Sequence, residues 1–300
     1  MLIMELNSNV IDTPPRDAAS LVMIRDGAQG LEVLLVRRHT DSSVLGGACV
    51  FPGGKLDAAD SSADLLARLD RAPSELHARL GEPELSPTHA AALYVAAARE
   101  AFEEAGVLYQ QVGNTEIATV DATARASLNA GESFGTLLAR LGLTLDTDAL
   151  VPWSRWITPR RPSVMNKRFD TRFFLAVAPT DQTARHDNFE TTETLWLTPR
   201  SALTEYKAGS IDLAPPQIMG LAHLAGFTTV AQARADALTR KPPLVEPESF
   251  EEDGTRVLCY PGDERHSVRE RALPTPTRLV WKDKRFEPPG GFEAFFQSEN

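Results

Sequence analysis

Three carboxylates pose the first chemical question. Glu100, Glu103 and Glu104 stand at i, i+3 and i+4 in the run Arg99-Glu-Ala-Phe-Glu-Glu-Ala-Gly106. In a helix, at roughly 100° per residue, they share one face. Like charges so spaced repel by roughly a few tenths of a kcal/mol per pair. A hard divalent cation such as Mg²⁺ or Mn²⁺ reverses the sign, because it takes oxygen ligands from a few carboxylates and from substrate phosphates. Arg99, four residues before Glu103, is spaced to hold that carboxylate in position. Alone, the glutamates fit a solvated acidic helix face better than a metal site. The surrounding sequence changes that weighing.

The positioning elements can be read around them. Residues 87–105 are rich in strong helix formers; Ser86 is a good N-cap, Pro87 suits the first turn and Gly106 is placed to end the helix. Tyr94, Ala98, Ala101, Phe102 and Ala105 fall on the opposite face, which can be buried. Upstream, an apolar strand over Ala48–Phe51 runs into Pro52-Gly53-Gly54, a sharp turn whose glycines let the backbone approach the helix or a ligand closely. Cys49, in that strand, reads as a small core residue. Two more strands, 19–24 and 31–37, form an expected hairpin ending in Arg37-Arg38-His39. That end is either an exposed strand terminus or a phosphate contact at the mouth of the site.

Gly54-x5-Asp60, followed by Arg99-Glu100-Ala101-x-Glu103-Glu104-x-Gly106-Val107, resembles the Nudix box, G-x5-E-x7-R-E-U-x-E-E-x-G-U with U a bulky apolar residue. The second half matches at every fixed polar and glycine position, with Ala101 a weak apolar match. The first half departs: Asp60 stands where the family has Glu, and 38 residues separate it from Arg99 where the family has 7, an insertion of 31. An insert there resembles the Nudix branch that includes the peroxisomal coenzyme A diphosphatases. So do Leu34-Leu35-Val36-Arg37-Arg38, Trp156-Ile157-Thr158-Pro159, Lys167-Arg168-Phe169-Asp170-Thr171-Arg172 and Leu213-Ala214-Pro215-Pro216-Gln217.

The resemblance implies an α/β (α+β) fold, a Nudix-type α/β/α sandwich with a mixed sheet. It implies Glu100, Glu103 and Glu104 as ligands of Mg²⁺ or Mn²⁺, with Arg99 orienting one of them. A further carboxylate from a late loop is expected to help; Glu190 and Glu193 are the candidates, and Glu193, nearer the strand at 195–197, is preferred. Arg37, Arg38, Gly53, Gly54, Arg168 and Asp170 are the expected substrate-binding residues. The implied reaction is hydrolysis of a nucleoside diphosphate linked to another group. The branch favours coenzyme A or acyl-CoA, cleaved to phosphopantetheine and adenosine 3′,5′-bisphosphate. Other diphosphates (ADP-ribose, NADH, a dinucleoside polyphosphate) and a nucleotide-sensing, non-catalytic Nudix domain are the rivals.

Composition narrows the partners. A net charge of −10 over 300 residues argues against a nucleic-acid binder but not against a small anion met by local cations. Arg160, Arg161, Lys167, Arg168 and Arg172 form the densest such group, either a solubilising loop or phosphate ligands. Two cysteines suggest no disulfide framework. No apolar run reaches the ~18 residues of a membrane span, and the N-terminus lacks the pattern of a signal peptide. The expected compartment is therefore the cytoplasm, of a bacterium. The expected layout is an arm at 1–17, the Nudix domain at 18–240 with its insert at about 58–86, and an extension at 241–300. The insert should lie near the acidic helix, as substrate wall or as surface packing. The hairpin-like extension is a candidate for supporting a homodimer or covering the site. Short strands are expected at 107–109 and 150–158, a longer one at 169–178, and helical character across 121–142.

Overall fold

The structure is a computed structural model describing residues 6–7, 9–111, 122–162 and 167–297. Strands β1 (Arg16–Gly27) and β2 (Gly30–Arg38) form the hairpin, closed where Gly27 faces Gly30. Then follow β3 (Cys49–Val50), β4 (Gly53–Lys55), α1 (Ala63–Leu66), α2 (Pro73–Leu80), α3 (Pro87–Ala105), α4 (Ala122–Asn129) and α5 (Phe134–Leu141). The chain continues with β5 (Val151–Ile157), β6 (Phe169–Val177), β7 (Thr191–Leu197), α6 (Pro199–Ala208), α7 (Pro215–Leu224) and α8 (Val230–Thr239). Last come β8 (Leu244–Val245), β9 (Glu248–Glu252), β10 (Thr255–Cys259), β11 (Arg278–Lys282) and β12 (Arg285–Glu287).

The central sheet runs β3-β2-β1-β6-β5-β8, with β4 also on β1 and β7 on β2. It is mixed: β1 with β6 and β5 with β8 are parallel, the other pairs antiparallel. Both faces are buried, as the alternation along β1 shows. Leu21 and Met23 join the core under α3, whereas Val22 and Ile24 join the core under α6, α7 and α8. This is the expected α/β/α sandwich.

Several boundaries moved for tertiary reasons. β1 starts at Arg16, inside the expected arm, because its N-terminal half pairs with β6 from Arg16 opposite Phe169 onward. Residues 107–109 form no strand. The helical stretch is two helices, α4 and α5, broken where Gly131 takes a positive φ of 98°; residue 121 lies outside the described residues. β7 begins at Thr191, four residues before the expected strand. The extension is a four-stranded antiparallel sheet, β12-β11-β10-β9, rather than a hairpin. Its Leu258, Tyr260, Leu279, Phe286 and Phe295 belong to the same apolar cluster as α6–α8.

The insert braces α3 rather than walling the site. Leu76 and Leu80 of α2 are buried in the α3-side core with Tyr94. The segment that leads into α3 carries Glu82, which meets the guanidinium of Arg172 on β6 at 2.7 Å. Arg172, 2% exposed, also pairs with Asp17 of β1. Arg155 of β5 joins the network through Asp170 at 2.7 Å and Glu82 at 2.8 Å. These ion pairs tie the insert to three strands. Removing a buried guanidinium leaves its carboxylates unpaired. Arg172→Ala is therefore expected to lower unfolding stability by about 3–5 kcal/mol, read from urea denaturation; a loss below about 1 kcal/mol, the range of exposed pairs, would mean that the network is solvated.

Candidate active site

Local chemistry fixes α3. Ser86 Oγ accepts from the His89 N–H at 3.1 Å, and Gly106 ends the helix with φ +69°, its N–H donating to Phe102 O at 2.9 Å. This sets Arg99, Glu100, Glu103 and Glu104 on the last two turns, facing β4.

Arg99 is the hub. Its Nε and Nη2 donate to the two oxygens of Asp60 at 2.8 and 3.0 Å, and Nη2 also reaches Lys55 O at 3.1 Å. Its Nη1 donates to Glu100 Oε1 at 2.8 Å and to Glu103 Oε2 at 2.9 Å. Asp60 is almost fully buried and sits in a one-turn 3₁₀ helix, Ala58–Ser61, where it also accepts from the Asp57 N–H at 2.8 Å. The turn brings the shorter Asp side chain within reach of Arg99, so the insert starts only after this contact is made.

The glycines serve the carboxylates. The Gly53 N–H donates to Glu104 Oε2 at 3.0 Å. A Cβ on Gly54 would stand 2.3 Å from Glu100 Oε1, so only glycine admits that carboxylate. Glu104 is 1% exposed, and its second oxygen faces Arg38 Nη1 at 3.4 Å. Burial, followed by the field of Glu100, pushes the Glu104 pKa up to about 8. Burial likewise lifts Glu100 to about 7 and raises Glu103.

Glu193 is not brought to this group. It lies opposite Arg37 in the β2–β7 register and pairs with it at 2.7 Å. Glu190, the candidate not preferred, lines the cleft instead, and its charge raises the pKa of Glu100, Glu103 and Glu104 alike. The earlier start of β7 decides between them, and only the partner strand sets that start. Asp187 holds the loop by accepting from the N–H groups of Phe189, Glu190 and Thr191 at 2.8–3.0 Å.

The other expected substrate contacts divide. Arg38, Gly53 and Gly54 line a cleft of about 560 Å³, together with Glu100 and Glu103. Arg37 does not line it, being held by Glu193. Arg168 is also absent from its walls, since it donates to Thr158 O at 2.8 Å. Asp170 is the partner of Arg155 and Arg172 below the surface. The basic group disperses in the same way: Arg160 pairs with Asp12, Arg172 is buried, and Lys167 alone of the five lines the cleft. Arg16 and Lys55 join it there, unforeseen from the sequence. Pairing of β1 with β4 sets Lys55 opposite Ala18, and pairing of β1 with β6 sets Arg16 opposite Phe169. Cys49 is buried, and burial raises its thiol to about 11, so it is no nucleophile at neutral pH.

A model of the NUDT19 Nudix domain matches residues 9–224. The chain belongs to the NUDT19 Nudix family. It is 32% identical over 262 residues to the acyl-coenzyme A diphosphatase NUDT19 of Gallus gallus, covering 72% of this chain and 69% of that one. The human protein of the same name is 31% identical over 247 residues, covering 71% and 65%. A solved Nudix hydrolase from Alicyclobacillus acidocaldarius superposes with a TM-score of 0.61 at 32% identity, over 75% of this chain and 97% of that one. The protein is thus a Nudix hydrolase, of a class that generally uses divalent metal ions.

The donor set of this Nudix site fits such an ion. Asp60, Glu100, Glu103 and Glu104 bring four negative charges when ionised, and Arg99 and Arg38 bring two positive ones. The deficit of two is the charge of one divalent cation. Among the described residues no three acidic side chains converge on one point. Glu100 and Glu103 turn instead to the nearest cation, Arg99.

Two outcomes follow for the Nudix site. Glu104 has a folded pKa of about 8 against an ordinary 4.5. Stability of the metal-free protein is therefore fully present below that ordinary value and lost as pH rises through the folded one. Calorimetry in EDTA should show Tm falling between pH 5 and 8, and Mg²⁺ or Mn²⁺ should raise Tm more at pH 8 than at pH 5; a flat EDTA profile would contradict the burial of these charges. Asp60→Asn, which removes the charge holding Arg99, is expected to weaken divalent-ion affinity by on the order of 10–100-fold, measured by titration calorimetry.

Proposed function

We propose that this protein hydrolyses coenzyme A or an acyl-CoA to phosphopantetheine, acylated or free, and adenosine 3′,5′-bisphosphate, with Mg²⁺ or Mn²⁺. The observation that carries the reading is the union of Glu100 and Glu103 with cationic Arg16, Arg38, Lys55 and Lys167 in one cleft, while Glu104 of the same helix face is buried against the Gly53 N–H. The name of the relatives, acyl-coenzyme A diphosphatase, supplies the substrate class. Both cysteines are free, buried thiols, in keeping with the cytoplasmic location we propose.

The reaction adds a water oxygen to one phosphorus and breaks its bond to the bridging oxygen. A bound divalent ion supplies neutralisation of the diphosphate and acidification of water. Glu100, Glu103 and Glu104 are the residues that would hold it. Arg99 orients Glu100 and Glu103, and the Gly53 N–H orients Glu104. The four cations offset the remaining phosphate charge and fix the substrate's direction in the cleft. Glu190, which lines the cleft with Glu100 and Glu103, is the group we assign to take the proton from water.

The test is turnover of CoA, acetyl-CoA, ADP-ribose, NADH and diadenosine polyphosphates with Mg²⁺ or Mn²⁺ against an EDTA control. Release of adenosine 3′,5′-bisphosphate from CoA or acetyl-CoA, lost in EDTA, is the expected result. Faster cleavage of another diphosphate would overturn the substrate and keep the chemistry. Glu103→Gln and Glu104→Gln should each reduce kcat by at least about 100-fold, on the scale of lost charge stabilisation, without lowering Tm in EDTA; full activity in both would remove α3 from the site.

A further inference from the structure

The cleft has two kinds of lining. Glu100, Glu103, Arg16, Arg38, Lys55 and Lys167 bring charge to it. Trp156, Phe169, Pro215, Pro216, Pro247 and Leu258 bring apolar wall. Pro247 and Leu258 lie beyond residue 224, where the match to the Nudix domain ends. They are all that the C-terminal extension contributes to the cleft lining, so its contribution there is purely apolar.

Both residues are buried and held from two sides. The Arg155 N–H donates to Pro243 O at 2.9 Å, and β8 continues the central sheet by pairing Leu244 and Val245 with Arg155 and Trp156. This stitches the chain just before Pro247 to the strand carrying Trp156. Leu258, 2% exposed, sits on β10 between Ser249 of β9 and Leu279 of β11. Two residues on, the Tyr260 ring meets Trp156 edge-on at 5.9 Å. A wall so anchored is preorganised, and its shape selects among apolar groups without a cost for ordering it.

We propose that the C-terminal extension reads the group carried by the diphosphate, with Leu258 and Pro247 selecting acyl-bearing over free coenzyme A. The charged lining binds what all diphosphates share, and the apolar wall binds what distinguishes them. The inference rests on the coenzyme A reading for its ligand, not for its geometry.

The experiment measures kcat/KM for octanoyl-CoA and CoA, and in parallel their dissociation constants in EDTA, where turnover is stopped. Wild type should favour octanoyl-CoA. Leu258→Phe, which fills the wall, should lower the octanoyl-CoA to CoA ratio at least about ten-fold. Leu258→Ala should move the preference toward dodecanoyl-CoA. Lost stability alone would scale both substrates together and leave the ratio in place; should Leu258→Phe fail to fold, Leu258→Ala and Pro247→Ala carry the same ratio test. A wild type without acyl preference, or folded variants with an unchanged ratio, would overturn the proposal. Turnover with a fixed ratio overturns the wall and keeps the hydrolase. Binding whose ratio moves with Leu258, without turnover of any CoA species, overturns the hydrolase reading and keeps the wall. No binding of either ligand overturns both.

Discussion

One guanidinium holds the site together. Arg99 binds Asp60 through two nitrogens and shares a third between Glu100 and Glu103. Three carboxylates from two separate elements could not otherwise lie so close in a region with so little water. The arginine does not cancel all of their charge. Burial, with the field of the neighbouring carboxylates behind it, lifts Glu100 and Glu104 above their ordinary range. A site of this kind is destabilised alone and stabilised by a cation, so affinity for a divalent ion follows from burial as much as from ligand count.

The fold serves this contact from both sides. Below, α3 is pinned by the two-faced sheet and by α2 of the insert, whose Leu76 and Leu80 pack with Tyr94. The ion-pair network of Arg172, Glu82, Asp17 and Asp170 locks the same insert to the strands. Above, the β4 turn supplies Gly54, where any side chain would displace Glu100, and Gly53, whose N–H holds Glu104. The long insertion is thus compatible with the site, because Asp60 makes its contact before the chain departs and the inserted helices return to the back of α3.

The extension changes what the cleft is. Without residues beyond 240 the cleft would lack Pro247 and Leu258 and part of the core that steadies Trp156. With them, the cleft carries charged side chains and a larger apolar wall together.

The sequence alone determined the chemistry of α3. Spacing on a helix is a local property, so the shared face of Glu100, Glu103 and Glu104, the Ser86 cap and the Gly106 stop were all legible. The apolar strands 19–24 and 31–37 were legible as a hairpin, whereas the two-sided sandwich followed only from the resemblance to the Nudix family. Tertiary structure decided which other residues join in. Arg37 and Arg38 are neighbours in sequence, yet strand alternation sends one to Glu193 and the other to Glu104. Glu190 rather than Glu193 faces the cleft because pairing with β2 starts β7 at Thr191. Arg168 and Asp170 stood in a stretch expected to meet the substrate, but Thr158 and Arg155 claim them. Arg16, Lys55, Pro247 and Leu258 reach the cleft only through strand pairings distant in the chain. Side-chain type and local spacing declare what a residue could do; which partner takes it first is set by long-range register, which a single sequence does not encode in any local pattern.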